Sequence, residues 1–315
     1  MMVWNPEDLE TIPCDFCGTS SIRNVYTRPD GLNIAECNRC KLCFVCPRPK
    51  AHLIHNLYCR DYFNKDSVQP NLGYSDYESD KNRAAMMTLA EKRLDVLMKI
   101  LNGNVKLKRC LEVGCATGEF CYFLTQKGIA TVGCDVSDFA INVSRERYPL
   151  LDFRVGKIED LAGNERFDGI FAFEVIEHVL SPKAFLQQAR QHLNDGGILV
   201  ISTPNYQCGK VVGFDRWLGF SMSFEHLYFF TPTVLIRYAN EQRLSVVDWF
   251  TGGGSGVSPE QYKRQPIVRT LAKGIFSKMG LLEFARQTKS KLIRRSHGYQ
   301  RHGNLHTLYI VFRAY

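Results

Sequence analysis

Leu111-Glu112-Val113-Gly114-Cys115-Ala116-Thr117-Gly118 is the stretch on which the fold of this chain turns. An apolar run stops in glycine and other small residues, and an amphipathic pattern over 119–127 follows at once. That order reads as strand, tight turn and helix. Glycine at 114 and 118 lets the backbone turn sharply and come close to a ligand, at the carboxyl edge of the sheet where open α/β folds bind ligands. A glycine loop alone is weak evidence. It gains weight from Asp135, about twenty residues further on at the end of the next apolar run, where a carboxylate can take both hydroxyls of a ribose. Dinucleotide dehydrogenases share these parts, but their glycine spacing would need glycine at 116 and 119. Here those positions are Ala116 and Glu119.

Outward from the loop, short apolar runs alternate with amphipathic stretches, the pattern of a parallel sheet with crossover helices. Strands are expected over 109–113, 130–135, 152–155, 167–173 and 197–202, with helices over 119–127, 137–147 and 182–193. Ser181 before Pro182 is a helix start, and Asn194-Asp195-Gly196-Gly197 a stop. Upstream, apolar residues recur at helical spacing over 81–101, closed by Asn102-Gly103. Downstream, a helix is expected over 232–241 and strands over 244–250 and 305–312.

Four successive segments carry a resemblance to a known family: Glu112 to Gly118, then Gly133-Cys134-Asp135-Val136-Ser137, then Phe167 to Ile170 leading into Glu174-Val175-Ile176-Glu177-His178, then Leu193 to Leu199. In order and spacing they resemble the motifs of class I S-adenosylmethionine-dependent methyltransferases. The resemblance implies a Rossmann-like α/β fold with a seven-stranded mixed sheet whose last strand runs antiparallel. It also implies roles. Gly114, Cys115 and Gly118 would frame the methionine end of S-adenosylmethionine, with Glu112 reaching its amino group through water. Asp135 would hold the ribose, and Val136, Ile158 and Glu159 would meet the adenine. Phe173 and Glu174 would pass close to the methionine end. The family often has an acid where this chain has Lys157.

Cys14-Asp15-Phe16-Cys17 and Cys37-Asn38-Arg39-Cys40 are two CxxC knuckles whose four thiolates can surround one zinc ion. Cys43 and Cys46 extend the second knuckle into a repeated CxxC that a four-iron cluster would also use, but that reading leaves Cys14 and Cys17 without a role. Cys14, Cys17, Cys37 and Cys40 are therefore the expected zinc ligands, in a zinc-ribbon-like module over 1–65. A linker and lead-in helix (66–103) and the methyltransferase domain (104–315) follow. Knuckle, strand, knuckle and the aromatic run at 58–63 together resemble the zinc-binding region ahead of methyltransferase domains in deoxysugar C-methyltransferases and in enzymes of polysaccharide loci. That resemblance implies a small-molecule acceptor, a sugar or nucleotide-sugar.

Methyl transfer from a sulfonium is an in-line displacement, so the protein's task is alignment and, where the nucleophile needs it, removal of a proton. Two segments past strand ends offer the groups. His178 follows the fourth strand. Glu225-His226, with Tyr228-Phe229 after it, resembles the Glu-His and Tyr-Phe segment of the sugar C-methyltransferases, where the histidine is the proposed base; this chain departs from that pattern at Met222 and Phe224. His226, Glu225 and His178 are the expected catalytic residues, with Glu225 setting the tautomer of His226 or shaping the pocket. Gly219 and the aromatics from Phe224 to Phe230 would form a mobile wall.

The formal charge of +8 is concentrated in one segment. Between Val257 and Gly303, eleven Lys or Arg stand against Glu260 and Glu283, a net +9 from 11 − 2. A basic amphipathic insertion of this kind suits a nucleotide-sugar, an anionic membrane surface or RNA. RNA methylation is the alternative function, though Phe171-Ala172-Phe173-Glu174 lacks the Asn/Asp-Pro-Pro-aromatic sequence of exocyclic amine methylation. No run approaches the roughly 18 apolar residues of a spanning helix, and the acidic start lacks a secretory signal. The chain reads as cytoplasmic, with a peripheral membrane association left open by the basic segment.

Overall fold

The structure, a computed structural model, describes residues 4–58, 60–63, 79–103, 105–215, 217–221, 224–252, 299–301 and 306–315. Apart from Tyr299–Arg301, the basic segment singled out above falls outside these residues. The N-terminal part contains β1 (Leu9–Glu10), β2 (Ile22–Thr27), β3 (Asn33–Cys37), β4 (Cys43–Val45), β5 (Arg48–Pro49) and the short α1 (Ala51–His55). Then come α2 (Asp80–Leu101), β6 (Arg109–Val113), α3 (Glu119–Gln126), β7 (Ala130–Asp135), α4 (Asp138–Arg147), β8 (Asp152–Val155), β9 (Phe167–Phe173), α5 (Pro182–His192) and β10 (Leu193–Pro204). The chain continues with α6 (Tyr206–Val212), α7 (Leu218–Ser221), β11 (Tyr228–Phe229), α8 (Pro232–Glu241), β12 (Leu244–Gly252), β13 (Tyr299–Arg301) and β14 (Thr307–Ala314).

The main sheet has the order β13-β12-β14-β10-β9-β6-β7-β8. Strands β6 to β10 run parallel, whereas β14 inserts antiparallel between β10 and β12. Without the edge strand β13, this is the seven-stranded mixed sheet with an antiparallel last strand that the motifs imply. The central strands are buried on both faces, which is why they read as continuous apolar runs rather than as alternation. Helix starts follow local chemistry. Ser137, Ser181 and Thr231 each accept a hydrogen bond from the third residue of α4, α5 and α8, and proline opens α5 and α8. The backbone order reverses between β6 and β9, so the carboxyl ends of β6, β7 and β9 open a crevice there.

The N-terminal strands form a second sheet, β11-β4-β3-β2. Its edge strand comes from the loop after β10, with Tyr228 opposite Phe44 and Phe229 opposite Cys43. Burial is continuous across the two sheets: Cys14, Phe16, Cys37, Cys40, Leu42 and Phe44 share one apolar core with Leu227, Tyr228, Leu235 and Tyr238. Phe16 stacks on Tyr238 at 3.7 Å between ring centroids. Asp15 reaches across as well, accepting from Ser181 Oγ at 2.6 Å and from the Lys183 amide at 2.9 Å at the start of α5.

Strand β10 begins four residues before the expected 197, because Leu193 already pairs with Phe167 and a register shift absorbs Asn194 to Gly197. Among the described residues no helix is long and apolar enough to cross a membrane.

Candidate active site

The turn after β6 is held by backbone geometry that only small residues tolerate. Gly114 has φ +70° and Gly118 φ +87°, and a Cβ at either would lie 2.5 Å from Val175 Cγ2 or Phe153 Cζ. The amides of Gly114 and Cys115 both donate to the Cys134 carbonyl, at 2.8 and 3.1 Å. Asp135, at the end of β7, closes the turn from the other side. Its two carboxylate oxygens accept from the Ala116 and Ser137 amides, each at 2.9 Å. Burial raises its carboxyl above the usual carboxylate range, and those amides oppose the rise. One acid thus fixes the loop and still has lone pairs to offer a diol. Val136 beside it is half-buried.

Glu112 sits in β6, buried, and accepts from Cys121 Sγ at 3.0 Å. Burial pushes its carboxyl up to about 8, against the Cys121 bond and the Arg93 cation. Cys115 is buried in the turn. Ile158 and Glu159 form a single helical turn with Asp160; the Ile158 side chain joins the core and Glu159 is exposed, so this turn presents backbone and a carboxylate. Phe173 ends β9 beneath the Arg93 guanidinium, 3.9 Å from the ring centroid. Glu174 follows at φ +56°, a left-handed conformation rare outside glycine, and its Oε1 accepts from Ser202 Oγ at 2.7 Å. Neither Arg93 nor Ser202 carried a motif signal in the sequence.

On the far side of Glu174 the remaining groups converge. His178 and His226 lie ring to ring at 4.7 Å and 74°, and potential ligand atoms of Glu177, His178 and His226 all fall within 4.8 Å of one another. Burial holds His178 down at about 4. Burial, then His178, Arg28 and His306, hold His226 well below the usual imidazole range, so both rings are neutral at physiological pH. His226 Nδ1 is buried without a hydrogen-bond partner among the described residues. Glu177 is wholly buried and neither carboxylate oxygen has a hydrogen-bond partner among the described residues; Thr203 eases its charge without reaching bonding geometry. Burial and the neighbouring Glu174 raise the Glu177 carboxyl far above its ordinary value, which makes it a neutral acid. Glu225 is pushed up by burial to about 7.

Two of the partners come from the N-terminal segment. Tyr58 OH lies 2.9 Å from His178 Nδ1, and Tyr62 OH donates to Glu225 Oε1 at 3.4 Å. Glu225 is therefore turned toward Tyr62, and its other carboxylate oxygen has no partner among the described residues, so no bond from Glu225 sets the His226 tautomer. Gly219 is buried against Trp217, whose ring would lie 2.5 Å from an added Cβ; it permits close packing and is no open hinge. His306, half-buried ahead of β14 with both ring nitrogens sealed and without a partner among the described residues, is a further histidine that sequence reading missed.

The four knuckle cysteines meet at the other end of the ribbon. Cys14 and Cys40 sulfurs are 3.3 Å apart, Cys17 and Cys37 sulfurs 3.5 Å, and all four lie within 4.8 Å of one another. A tetrahedron with zinc–sulfur bonds of about 2.3 Å has edges of about 3.8 Å, so the set fits zinc. Each knuckle closes on a left-handed residue, Gly18 in the first and Lys41 in the second. Cys43 and Cys46 stand apart, facing Glu36 and the Ile12 carbonyl.

A family model described as methyltransferase domain matches residues 79–248, more than half of the chain. The chain belongs to this methyltransferase family. The matched span holds every residue assigned above to the cofactor, together with Glu177, His178, Glu225 and His226. Among curated relatives, a ubiquinone biosynthesis O-methyltransferase of Bradyrhizobium sp. (strain ORS 278) is 33% identical over 151 residues, 44% of this chain and 59% of the relative. One of the same description from Cereibacter sphaeroides (strain ATCC 17025 / ATH 2.4.3) is 34% identical over 152 residues, 44% of this chain and 61% of the relative. The chain thus spans about three fifths of the length of the curated relatives it matches. Among solved structures, an S-adenosylmethionine-dependent methyltransferase from Clostridium acetobutylicum ATCC 824 aligns at 13% identity and TM-score 0.44, over 75% of this chain and 93% of that one. An amino pentose methyltransferase from Micromonospora echinaspora aligns at 20% identity and TM-score 0.35, over 42% and 58%.

Proposed function

We propose that this protein transfers a methyl group from S-adenosylmethionine to a hydroxyl or acidic carbon of a small molecule, most simply a sugar or nucleotide-sugar. The observation that supports this reading best is the convergence of His226, His178 and Glu225 just past Glu174, on the methionine side of the crevice. Bound there, S-adenosylmethionine supplies an electrophilic methyl group on a sulfonium. Gly114, Cys115 and Gly118 would leave room for its methionine end, Glu112 would serve its amino group, and Asp135 would take the ribose. Val136, Ile158 and Glu159 would border the adenine.

The chain's own work lies on the acceptor side. His226 presents an unpartnered Nδ1 as a neutral lone pair, able to accept a hydrogen bond from the nucleophile and orient it. Glu225 titrates near neutrality and can take up the proton that the nucleophile loses as its bond to carbon forms. His178, anchored by Tyr58, is a wall against which His226 keeps its orientation. Cys14, Cys17, Cys37 and Cys40 would hold zinc, which would brace the ribbon that leads into Tyr58 and Tyr62 and have no part in the displacement. The curated relatives' description as O-methyltransferases favours a hydroxyl as nucleophile.

The test is to incubate the purified full chain with labelled S-adenosylmethionine and a panel of nucleotide-sugars, then with RNA. Label should pass to a nucleotide-sugar, and His226→Ala should slow that transfer by about 10² to 10⁴ while S-adenosylhomocysteine affinity is kept. Label entering RNA alone, or normal turnover by His226→Ala, would overturn the reading.

A further inference from the structure

Arg28 follows β2 in the ribbon, at a turn in which the Arg28 amide donates to the Leu32 carbonyl. It is 2% exposed, and its ion pair with Asp30 is completely sealed from solvent. Nε donates to Asp30 Oδ1 at 3.1 Å and Nη2 to Asp30 Oδ2 at 2.6 Å. The opposite edge of the guanidinium reaches into the methyltransferase half. Nη1 donates to the His226 carbonyl at 2.9 Å, and Nη2 to the Phe224 carbonyl at 3.0 Å. The side chain also lies 5.5 Å from the Phe224 ring centroid.

These bonds bracket the acceptor-side histidine. One residue further on, the Leu227 amide donates to the Glu177 carbonyl at 2.8 Å, and the Leu227 carbonyl accepts from the Val45 amide in the ribbon, also at 2.8 Å. His226 is thus fixed on its own carbonyl by Arg28 and on its successor by Glu177 and Val45. A buried ion pair is a poor source of stability, because desolvation offsets most of its attraction. What a planar five-donor cation does well is to hold several acceptors at fixed angles. Here it holds one carboxylate and two carbonyls at once.

We propose that Arg28 is a positioning residue for His226: its guanidinium, held along one edge by Asp30, clamps the Phe224 and His226 carbonyls with the other and thereby fixes the direction in which the imidazole faces the acceptor. The inference rests on the reading of His226 as acceptor-facing. The geometry carries it, and the electrostatics agree. His226 is faced by Arg28 from the ribbon, by His178 and Glu177 from the turn after β9, by its neighbour Glu225 and by His306 from before β14. Among these Arg28 is a permanent cation, and it favours the neutral, lone-pair form of the ring.

The test uses the full, zinc-loaded chain and needs no acceptor. Arg28→Met/Asp30→Leu removes the pair and leaves apolar groups of similar size, while Arg28→Lys keeps a cation opposite Asp30 but cannot span both carbonyls. Histidine-selective carbon NMR follows the titration of each ring, with the His226 signal assigned by its loss in His226→Ala, and hydrogen exchange follows the Leu227 and Tyr228 amides. In the double variant His226 should titrate at higher pH and the two amides should exchange about tenfold faster or more. S-adenosylhomocysteine affinity should stay within about twofold, since the Gly114 to Gly118 turn is untouched. Arg28→Lys should restore the titration and leave exchange fast, and it carries the test if the double variant does not fold. Unchanged titration and exchange in a folded variant would sink the proposal, as would a fall in cofactor affinity that tracks the loss of melting temperature. Normal turnover by His226→Ala would instead sink the functional reading and leave the clamp itself standing.

Discussion

Glu112 should release its proton when the cofactor binds. In the free protein burial pushes this carboxyl up to about 8, so at pH 7 it is about nine-tenths protonated. A ligand ammonium placed near it favours the charged form, and a fall back toward the ordinary value near 4.5 would leave it ionised. The expected release is about 0.9 proton per bound ligand at pH 7, falling to about half at pH 8. Because the ligand-binding form is the ionised one, affinity should rise with pH up to about 8 and then level off. Between pH 6 and pH 8 the ionised fraction climbs from about 1% to about 50%, so binding should tighten by about fiftyfold, on the order of 2 kcal/mol. The same shift gives the free protein the opposite slope in stability. A carboxyl raised on folding contributes stability that is full below its unfolded value near 4.5 and is lost as pH rises through 8. Calorimetric titration with S-adenosylhomocysteine in phosphate and in Tris, which differ in ionisation enthalpy, counts the protons directly. Glu112→Gln should abolish the difference between buffers. A count near zero in the parent chain, or an equal count in Glu112→Gln, would refute the assignment of Glu112 to the ligand's amino group.

Asp135→Asn keeps the shape that accepts the Ala116 or Ser137 amide but loses the charge, so it should weaken S-adenosylhomocysteine binding about tenfold or more with little change in melting temperature. Asp135→Ala should abolish binding and also loosen the turn, since two loop amides lose their acceptor; undiminished affinity in either variant would misplace the ribose. Elemental analysis should find one zinc per chain, lost in Cys14→Ser and kept in Cys43→Ser and Cys46→Ser, whose sulfurs face elsewhere. Iron in place of zinc would reverse that assignment.

The catalytic sheet was legible because its strands lie near in sequence to the turns and helices that bound them. For β6, β7, β8 and β9 the expected limits coincide with the observed ones, as the apolar runs stop at Gly114, Asp135, Gly156 and Glu174. The knuckles were legible for a similar reason, since CxxC spacing is itself the geometry of the turn. What the sequence hid is built from distant pieces. Strand β11 is two residues long and has no periodicity of its own; it exists because β4, far upstream, supplies its partner. Tyr58 and Tyr62 read only as part of an aromatic run. Arg28 was hidden more completely, because Arg28-Pro29-Asp30-Gly31 has the composition of an exposed turn, and nothing local reveals that the turn is sealed by the loop at Phe224.

That division bears on acceptor choice in the proposed reaction. The cofactor half of the crevice lies within the span shared with the family, 79–248, and its turn is built from short-range bonds among Cys115, Cys134, Asp135 and Ser137. The residues proposed for the acceptor side have neighbours beyond that span: Tyr58 on His178, Tyr62 on Glu225, Arg28 on the His226 carbonyl, and His306, whose protonation would oppose that of His226. The family model, at 79–248, ends short of Arg28, Tyr58, Tyr62 and His306. On the proposed function, acceptor choice is expected to depend on the ribbon and its aromatic extension, which supply the partners of His178, Glu225 and His226. Exchanging residues within 79–248 for those of a relative, with His178, Glu225 and His226 kept, should leave the acceptor preference unchanged in the labelled-methyl panel, because Arg28, Tyr58, Tyr62 and His306 stay in place; a switch of acceptor in such a chimaera would refute the role given to the ribbon.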